Sequence, residues 1–229
     1  MKHSMLSAAV MSVLIMSLFS MGAVWAKKKP KSGEVDGRVF SDSKFDFSIT
    51  LPEGWKISLK PKKSSLRFVS LKKDYAIPMH FRVAPNHTEI PKIKIYVDTT
   101  SLDVRDFVDS LASKTFDSRQ KRDIVSEFEL LDGQYKRPRI RRLRLENGLK
   151  GRRLSTKLKY TINVQAPGEL TSTVVTDFLS GQIVFLKKDD HLVMIYLVCE
   201  SLFYKTNAEL FEKALETLSF GEKPEKEES

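Results

Sequence analysis

The stretch Phe45-Asp46-Phe47-Ser48-Ile49-Thr50-Leu51-Pro52-Glu53-Gly54-Trp55-Lys56-Ile57-Ser58-Leu59 decides the fold class. Apolar residues stand at every second position on both sides of Pro52-Glu53-Gly54, the period of a chain that turns alternate side chains toward a core. The Pro-x-Gly triplet supplies a tight turn, so the spacing predicts a strand, a turn and a second strand. Outward from there, alternating or β-branched runs recur at Leu66 to Leu71, Met79 to Ala84, Ile93 to Val97, Ile124 to Leu131, Leu143 to Leu145, Leu154 to Ala166, Thr171 to Leu179 and Gln182 to Leu186. Leu192 to Cys199 is apolar without interruption, which predicts a central strand covered on both faces.

Two segments change to the helical period. From Ser101 to about Arg119, residues Val104, Phe107, Val108, Leu111 and Ala112 fall on one stripe, with Thr100 and Asp103 at capping-box spacing. From Thr206 to Leu218, residues Leu210, Phe211, Ala214, Leu215 and Leu218 do the same, behind a second box at Thr206-Asn207-Ala208-Glu209. Two amphipathic helices need surfaces to cover, and a doubly buried strand needs covers on both faces. The consistent arrangement is α+β, an antiparallel sheet flanked by helices.

The segment Phe45 to Trp55, read as aromatic-x-aromatic-x-Ile-x-Leu-Pro-x-Gly-Trp, resembles the first hairpin of the PsbP-like superfamily, which includes the bacterial DcrB-like exported proteins. The other end is similar too, with the apolar strand Leu192 to Cys199 leading into a helix that finishes Leu215-Glu216-Thr217-Leu218-Ser219-Phe220. The resemblance implies an α/β/α sandwich around an antiparallel sheet, and action by binding larger assemblies rather than by catalysis. Lys136 to Arg153 matches no pattern of that superfamily.

At the N-terminus, Lys2 and His3 precede the apolar stretch Leu6 to Val24, which ends in Val24-Trp25-Ala26. That order predicts a signal peptide, residues 1–26, cleaved after Ala26; the rival is an uncleaved anchor, since the stretch approaches the ~20 residues that span a bilayer. No cysteine follows it for a lipoprotein anchor, so the expectation is an exported chain, periplasmic or secreted, soluble after cleavage. Residues 27–37 read as a flexible basic leader, 38–220 as a single domain, and 221–229 as a disordered charged tail.

Candidate chemistry is sparse among one cysteine and four histidines. Cys199 with His191 as base would make a thiolate nucleophile, but the apolar run around the thiol favours a core position. His80 and His191 lack partners at metal-ligand spacing, Asp189-Asp190 reads as a solvated turn between lysines, and Ser180-Gly181 lacks the flanking glycines of a nucleophile elbow. No metal, no cofactor and no catalytic residue are therefore expected.

Charge is the feature above background. The chain carries 39 basic and 29 acidic residues, a formal net charge of +10. Lys136 to Arg153 alone holds nine basic residues and one acid, Glu146. Its arginine bias suits bidentate contact with phosphate or carboxylate groups. With an even-length loop around Asn147-Gly148, or else a bulge, Arg144 would face Arg153, and Arg142, Arg144, Arg153, Lys157 and Lys159 would form one outward basic face. The alternative is a solvated edge hairpin whose charges discourage aggregation. Three functions follow: a non-catalytic exported binding or accessory protein acting through protein contacts in the cell envelope; a peripheral binder of anionic lipid or acidic polysaccharide; and, third, an enzyme. Nucleic acid is not an expected partner, because export argues against it and no aromatic residue is interleaved in the patch.

Overall fold

The computed structural model describes residues 32–72, 91–113, 138–164, 168, 171 and 173–221. They form β1 (Glu34–Asp36), β2 (Val39–Asp42), β3 (Phe47–Thr50), β4 (Trp55–Leu59), β5 (Leu66–Lys72), β6 (Lys92–Thr99), α1 (Val104–Ala112), β7 (Arg139–Arg144), β8 (Lys150–Val164), β9 (Thr173–Lys188), β10 (His191–Glu200), a 3-10 turn (Ser201–Phe203), α2 (Tyr204–Glu216) and β11 (Ser219–Phe220). The runs at Met79 to Ala84 and Ile124 to Leu131, His80 and the signal segment 1–26 lie outside the described residues.

A seven-stranded antiparallel sheet runs in the order β4-β5-β6-β10-β9-β8-β7. The uninterrupted apolar run is its centre, as predicted: β10 pairs with β6 on one side and β9 on the other, and every residue from Leu192 to Glu200 is buried. Each face of β10 feeds its own core. Leu192, Met194, Tyr196 and Val198 pack with Phe107, Val108 and Leu111 of α1. Val193, Ile195 and Leu197 pack with Phe211, Ala214 and Leu215 of α2. A strand buried on both faces cannot alternate polar and apolar residues, which is why this one reads as a continuous run.

Both segments of helical period form helices, although the expected continuation of the first from residue 114 to about Arg119 lies outside the described residues, and their starts differ. In α1 Asp103 is the cap, its carboxylate accepting from the Arg105 N–H at 2.7 Å. The second capping box is not used. The chain enters α2 directly from the 3-10 turn, so Thr206 lies inside the helix and Phe203 is the cap without a side-chain bond. Leu210 is only half-buried, and the buried stripe runs through Asn207, Phe211, Ala214 and Leu215.

Two strand expectations need correction. Phe47–Thr50 and Trp55–Leu59 do not pair as a hairpin. β3 lies between β2 and β11 in a separate four-stranded sheet, β1-β2-β3-β11, and β4 pairs with β5 at the edge of the large sheet. Both edges of β3 are thus taken, by strands that the short, mixed segments Val39–Asp42 and Ser219–Phe220 did not announce. Likewise Thr173–Lys188 is one strand through Ser180-Gly181, because Gly181 pairs with Thr156 on one side and Val198 on the other. The expected flexible leader also ends earlier than residue 37: Glu34–Asp36 pair with β2, and the buried Ser32 hydroxyl donates to the Arg67 carbonyl at 2.7 Å.

The four-stranded sheet is fastened to the large one by a buried ion pair. Arg67 on β5 places Nε 2.6 Å from Oδ2 of Asp42 on β2, with side chains 1% and 0% exposed. Its Nη1 donates to the carbonyls of Ser64 at 2.8 Å and Lys62 at 3.3 Å, and its guanidinium stacks on the Phe45 ring. A buried charge survives only when paired and hydrogen-bonded, and this one has both.

Candidate functional site

The basic segment folds as the hairpin β7–β8 at one edge of the large sheet, among the described residues. Its turn is three residues long. Leu145 N–H donates to Leu149 O at 2.9 Å, Gly148 N–H donates to Leu145 O at 3.0 Å, and Gly148 holds φ +86°, where a side chain would be strained. The turn is also bolted to the end of α2. Asn147 Nδ2 donates to the carbonyls of Leu218 at 2.8 Å and Glu216 at 3.2 Å, and Glu216 Oε2 accepts from Glu146 N–H at 2.8 Å. Carbonyls left open at a helix end are thereby satisfied by the hairpin.

This geometry corrects the register. The loop is odd in length, so Arg144 faces Lys150, Arg142 faces Arg152, Arg141 faces Arg153 and Leu143 faces Gly151. The physical reason is apolar. Leu145 and Leu149 pair with each other and both pack into the core under α2, which pushes Glu146 into the loop with Asn147 and Gly148. Gly151 is demanded at its position because a Cβ there would come within 2.1 Å of the Phe185 carbonyl.

The expected single basic face consequently divides in two. Ile140 pairs with Leu154, and both belong with the α1-side core, so Arg142, Arg144, Lys150 and Arg152 point to the α1 face by alternation. Lys187 joins them, since its cross-strand partner Leu192 lies in that same core. Arg139, Arg141, Arg153, Lys157 and Lys159 occupy the α2 face. Of the five residues read from the sequence, Arg142 and Arg144 therefore stand on one face, and Arg153, Lys157 and Lys159 on the other.

The two faces differ electrostatically. On the α2 face Arg153 is half-buried, with Nη2 2.6 Å from Glu212 Oε2, and Gln182 Nε2 donates to the other oxygen of that carboxylate at 3.1 Å. Arg153 is thus a tether between hairpin and helix. On the α1 face Arg142, Arg144 and Lys150 are exposed and Arg152 half-exposed, and among the described residues no carboxylate lies in ion-pair range of any of them. Two like-charged pairs thus sit directly opposite across the ladder, an arrangement that is itself mildly unfavourable.

The remaining candidates are absorbed by structure. His191 opens β10 and packs edge-on against the Phe45 ring at 5.0 Å, whereas Cys199 lies near the far end of the same strand, about 27 Å away at ~3.4 Å per residue. They cannot act as a pair. Burial, reinforced by the neighbouring Glu200 charge, pushes the Cys199 thiol up to about 12, so at neutral pH it is a core thiol. Tyr204 is pushed up to about 12 as well, chiefly by burial. Asp189-Asp190 is the exposed turn between β9 and β10, Asp189 holding φ +53°. Among the described residues no three His, Cys, Asp or Glu side chains converge as a metal site.

No protein-family model matches the chain. No curated protein matches it. Among solved structures it is similar to a crystal structure of a Bacteroides thetaiotaomicron VPI-5482 protein, at 10% identity and a TM-score of 0.42, covering 83% of this chain and 51% of that one, so that this chain spans about half the length of that relative. It is similar to the solution structure of cyanobacterial PsbP (CyanoP) from Synechocystis sp. PCC 6803, at 14% identity and a TM-score of 0.37, covering 82% and 98%. It is also similar to the Saccharomyces cerevisiae Ran-binding protein Mog1p, at 9% identity and a TM-score of 0.41, covering 82% and 97%. At these identities and TM-scores nothing of what those proteins do transfers to this chain.

Proposed function

We propose that this is an exported, non-catalytic binding protein of the cell envelope, an α/β/α sandwich that acts by holding an anionic partner against the basic hairpin. The observation that carries the reading is the α1-face quartet. Arg142, Arg144, Lys150 and Arg152 stand without a carboxylate among the described residues, on a hairpin whose turn is locked to α2. A merely solvated edge needs charge, but it does not need a rigid mount. The Cys199 thiol, held protonated by burial, and the separation of His191 from it support binding over catalysis. A protein is the leading partner; anionic lipid and acidic polysaccharide are decided by the same experiment.

That experiment measures association of the protein with polyglutamate, phosphatidylglycerol vesicles and alginate at about 30 and about 500 mM salt. The reading expects binding to at least one of them at low salt that weakens about tenfold or more at high salt, since exposed charges are screened beyond ~10 Å at 0.1 M. Arg142→Glu with Arg144→Glu should abolish it. No association with any of the three at low salt would reduce the hairpin to a solvated edge. Export is checked separately by the intact mass of the protein from its native compartment, where Lys27 is the expected first residue.

A further inference from the structure

The arginines of β7 are not arranged for a flat anionic surface. Along the strand Arg139 and Arg141 face the α2 side, while Arg142 and Arg144 face the α1 side, and all four are exposed. A surface approaching from one side engages only one of these pairs. A ligand that itself presents acidic groups alternately up and down engages both, and an extended peptide does this.

The backbone of β7 offers the matching half. The Leu145 N–H to Leu149 O bond makes those two residues a hydrogen-bonded pair. In an antiparallel ladder such pairs alternate with non-bonded ones. Leu143, Arg141 and Arg139 therefore spend their backbone groups on β8, and the N–H and C=O groups of Ile140, Arg142 and Arg144 point away from it. Among the described residues β7 is the last strand on that side of the sheet. Its outward backbone groups are a template for one more strand, and cations on both faces select an acidic one.

We propose that β7 is a docking strand for an acidic, extended protein segment that adds to the sheet beside Arg139–Arg144 and places its carboxylates alternately against Arg142/Arg144 and Arg139/Arg141. This rests on the binding reading above and gives its partner a chemistry and a geometry: a stretch of about six residues, rich in Glu or Asp, paired backbone to backbone.

The test separates backbone pairing from charge. Arg142→Gln and Arg142→Pro remove the same charge, but only proline removes the outward N–H, and it leaves the β8 ladder untouched because that N–H does not point to β8. The probe is a capped octapeptide of glutamate with valine at its third and sixth positions, titrated at about 30 mM salt, with thermal melts of both variants as a folding control. Arg142→Gln should weaken binding a few-fold. Arg142→Pro should weaken it at least tenfold further, and the wild-type complex should show slowed hydrogen exchange at the Ile140, Arg142 and Arg144 amides. Should Pro unfold the protein, that exchange signature alone decides. Equal affinity of the two variants, or vesicles competing fully with the peptide without any exchange protection at β7, would overturn the docking strand while leaving the binding reading intact. Failure of the wild type to bind the peptide and every other anionic probe would remove both.

Discussion

Arg67 and Arg142 are arginines in antiparallel strands of the same sheet, and they solve opposite problems. Arg67 is buried and paired: Asp42 neutralises it through Nε, the Ser64 and Lys62 carbonyls accept from its Nη1, and Phe45 covers its face, while Nη2 has no hydrogen-bond partner among the described residues. Arg142 is exposed, faces another arginine, and has no carboxylate partner among the described residues. A charge drawn into the core must bring its partner along, because desolvation leaves no alternative. A charge at the edge stays solvated and can meet its partner later. One arginine therefore holds two sheets together, and the other is available for an encounter.

Disturbing the buried pair should have the largest effect. Asp42→Ala leaves the Arg67 guanidinium buried without its ion-pair partner, and a loss of about 3–5 kcal/mol is expected in denaturant melts. A loss below about 1 kcal/mol would mean that Arg67 escapes to solvent when Asp42 is removed, and the contrast with Arg142 would collapse.

The core should also answer to pH. Folding raises the Cys199 thiol from 9.0 to about 12, so the native state keeps a proton that the unfolded state releases. The associated stability is present below pH 9 and is lost as pH rises from 9 toward 12. At pH 10.5 the loss is on the order of 2 kcal/mol. Cys199→Ala should flatten the melt-against-pH curve between pH 9 and 10, leaving the Tyr204 contribution above that range. An unchanged slope would show that the thiol is not the responsible group.

The mount of the hairpin comes next in size. Asn147→Ala deletes donors to the Glu216 and Leu218 carbonyls and an acceptor for the Leu149 N–H, and should cost about 1–2 kcal/mol. It should also weaken binding to polyglutamate more than its effect on stability suggests, because the quartet would lose its fixed register. Normal binding by a destabilised Asn147→Ala protein would show that rigidity of the turn does not matter.

Much of this molecule was legible because burial writes a periodic pattern. The two-sided covering of β10 shows in eight consecutive apolar residues, and the buried face of α1 in Val104, Phe107, Val108 and Leu111. What stayed hidden is pairing across long separations. The bond between Ser48 and Ser219 joins residues 171 apart, and nothing local in Phe47–Thr50 distinguishes a partner at Trp55 from one at Phe220. Arg67 was equally opaque, since Leu66-Arg67-Phe68 reads as ordinary alternation until Asp42 arrives opposite it. In the site, the excess charge and its arginine bias were visible, but the face of each residue was not. That depended on whether Glu146 belongs to the loop, and the decision is made by Leu145 and Leu149 packing beneath α2.

Substitutions at Arg142 and Arg144 should have the smallest effect on stability and a large effect on binding. Relieving the opposed charges with Arg142→Gln and Arg144→Gln should leave the denaturation midpoint within about 0.5 kcal/mol of wild type, or slightly above it. The most direct test of the central claim measures stability and low-salt polyglutamate affinity together on Arg142→Glu/Arg144→Glu. The structure predicts abolished binding at unchanged stability. Retained binding, or a loss of stability of several kcal/mol, would contradict it, because either would show that these arginines serve the fold and not a partner.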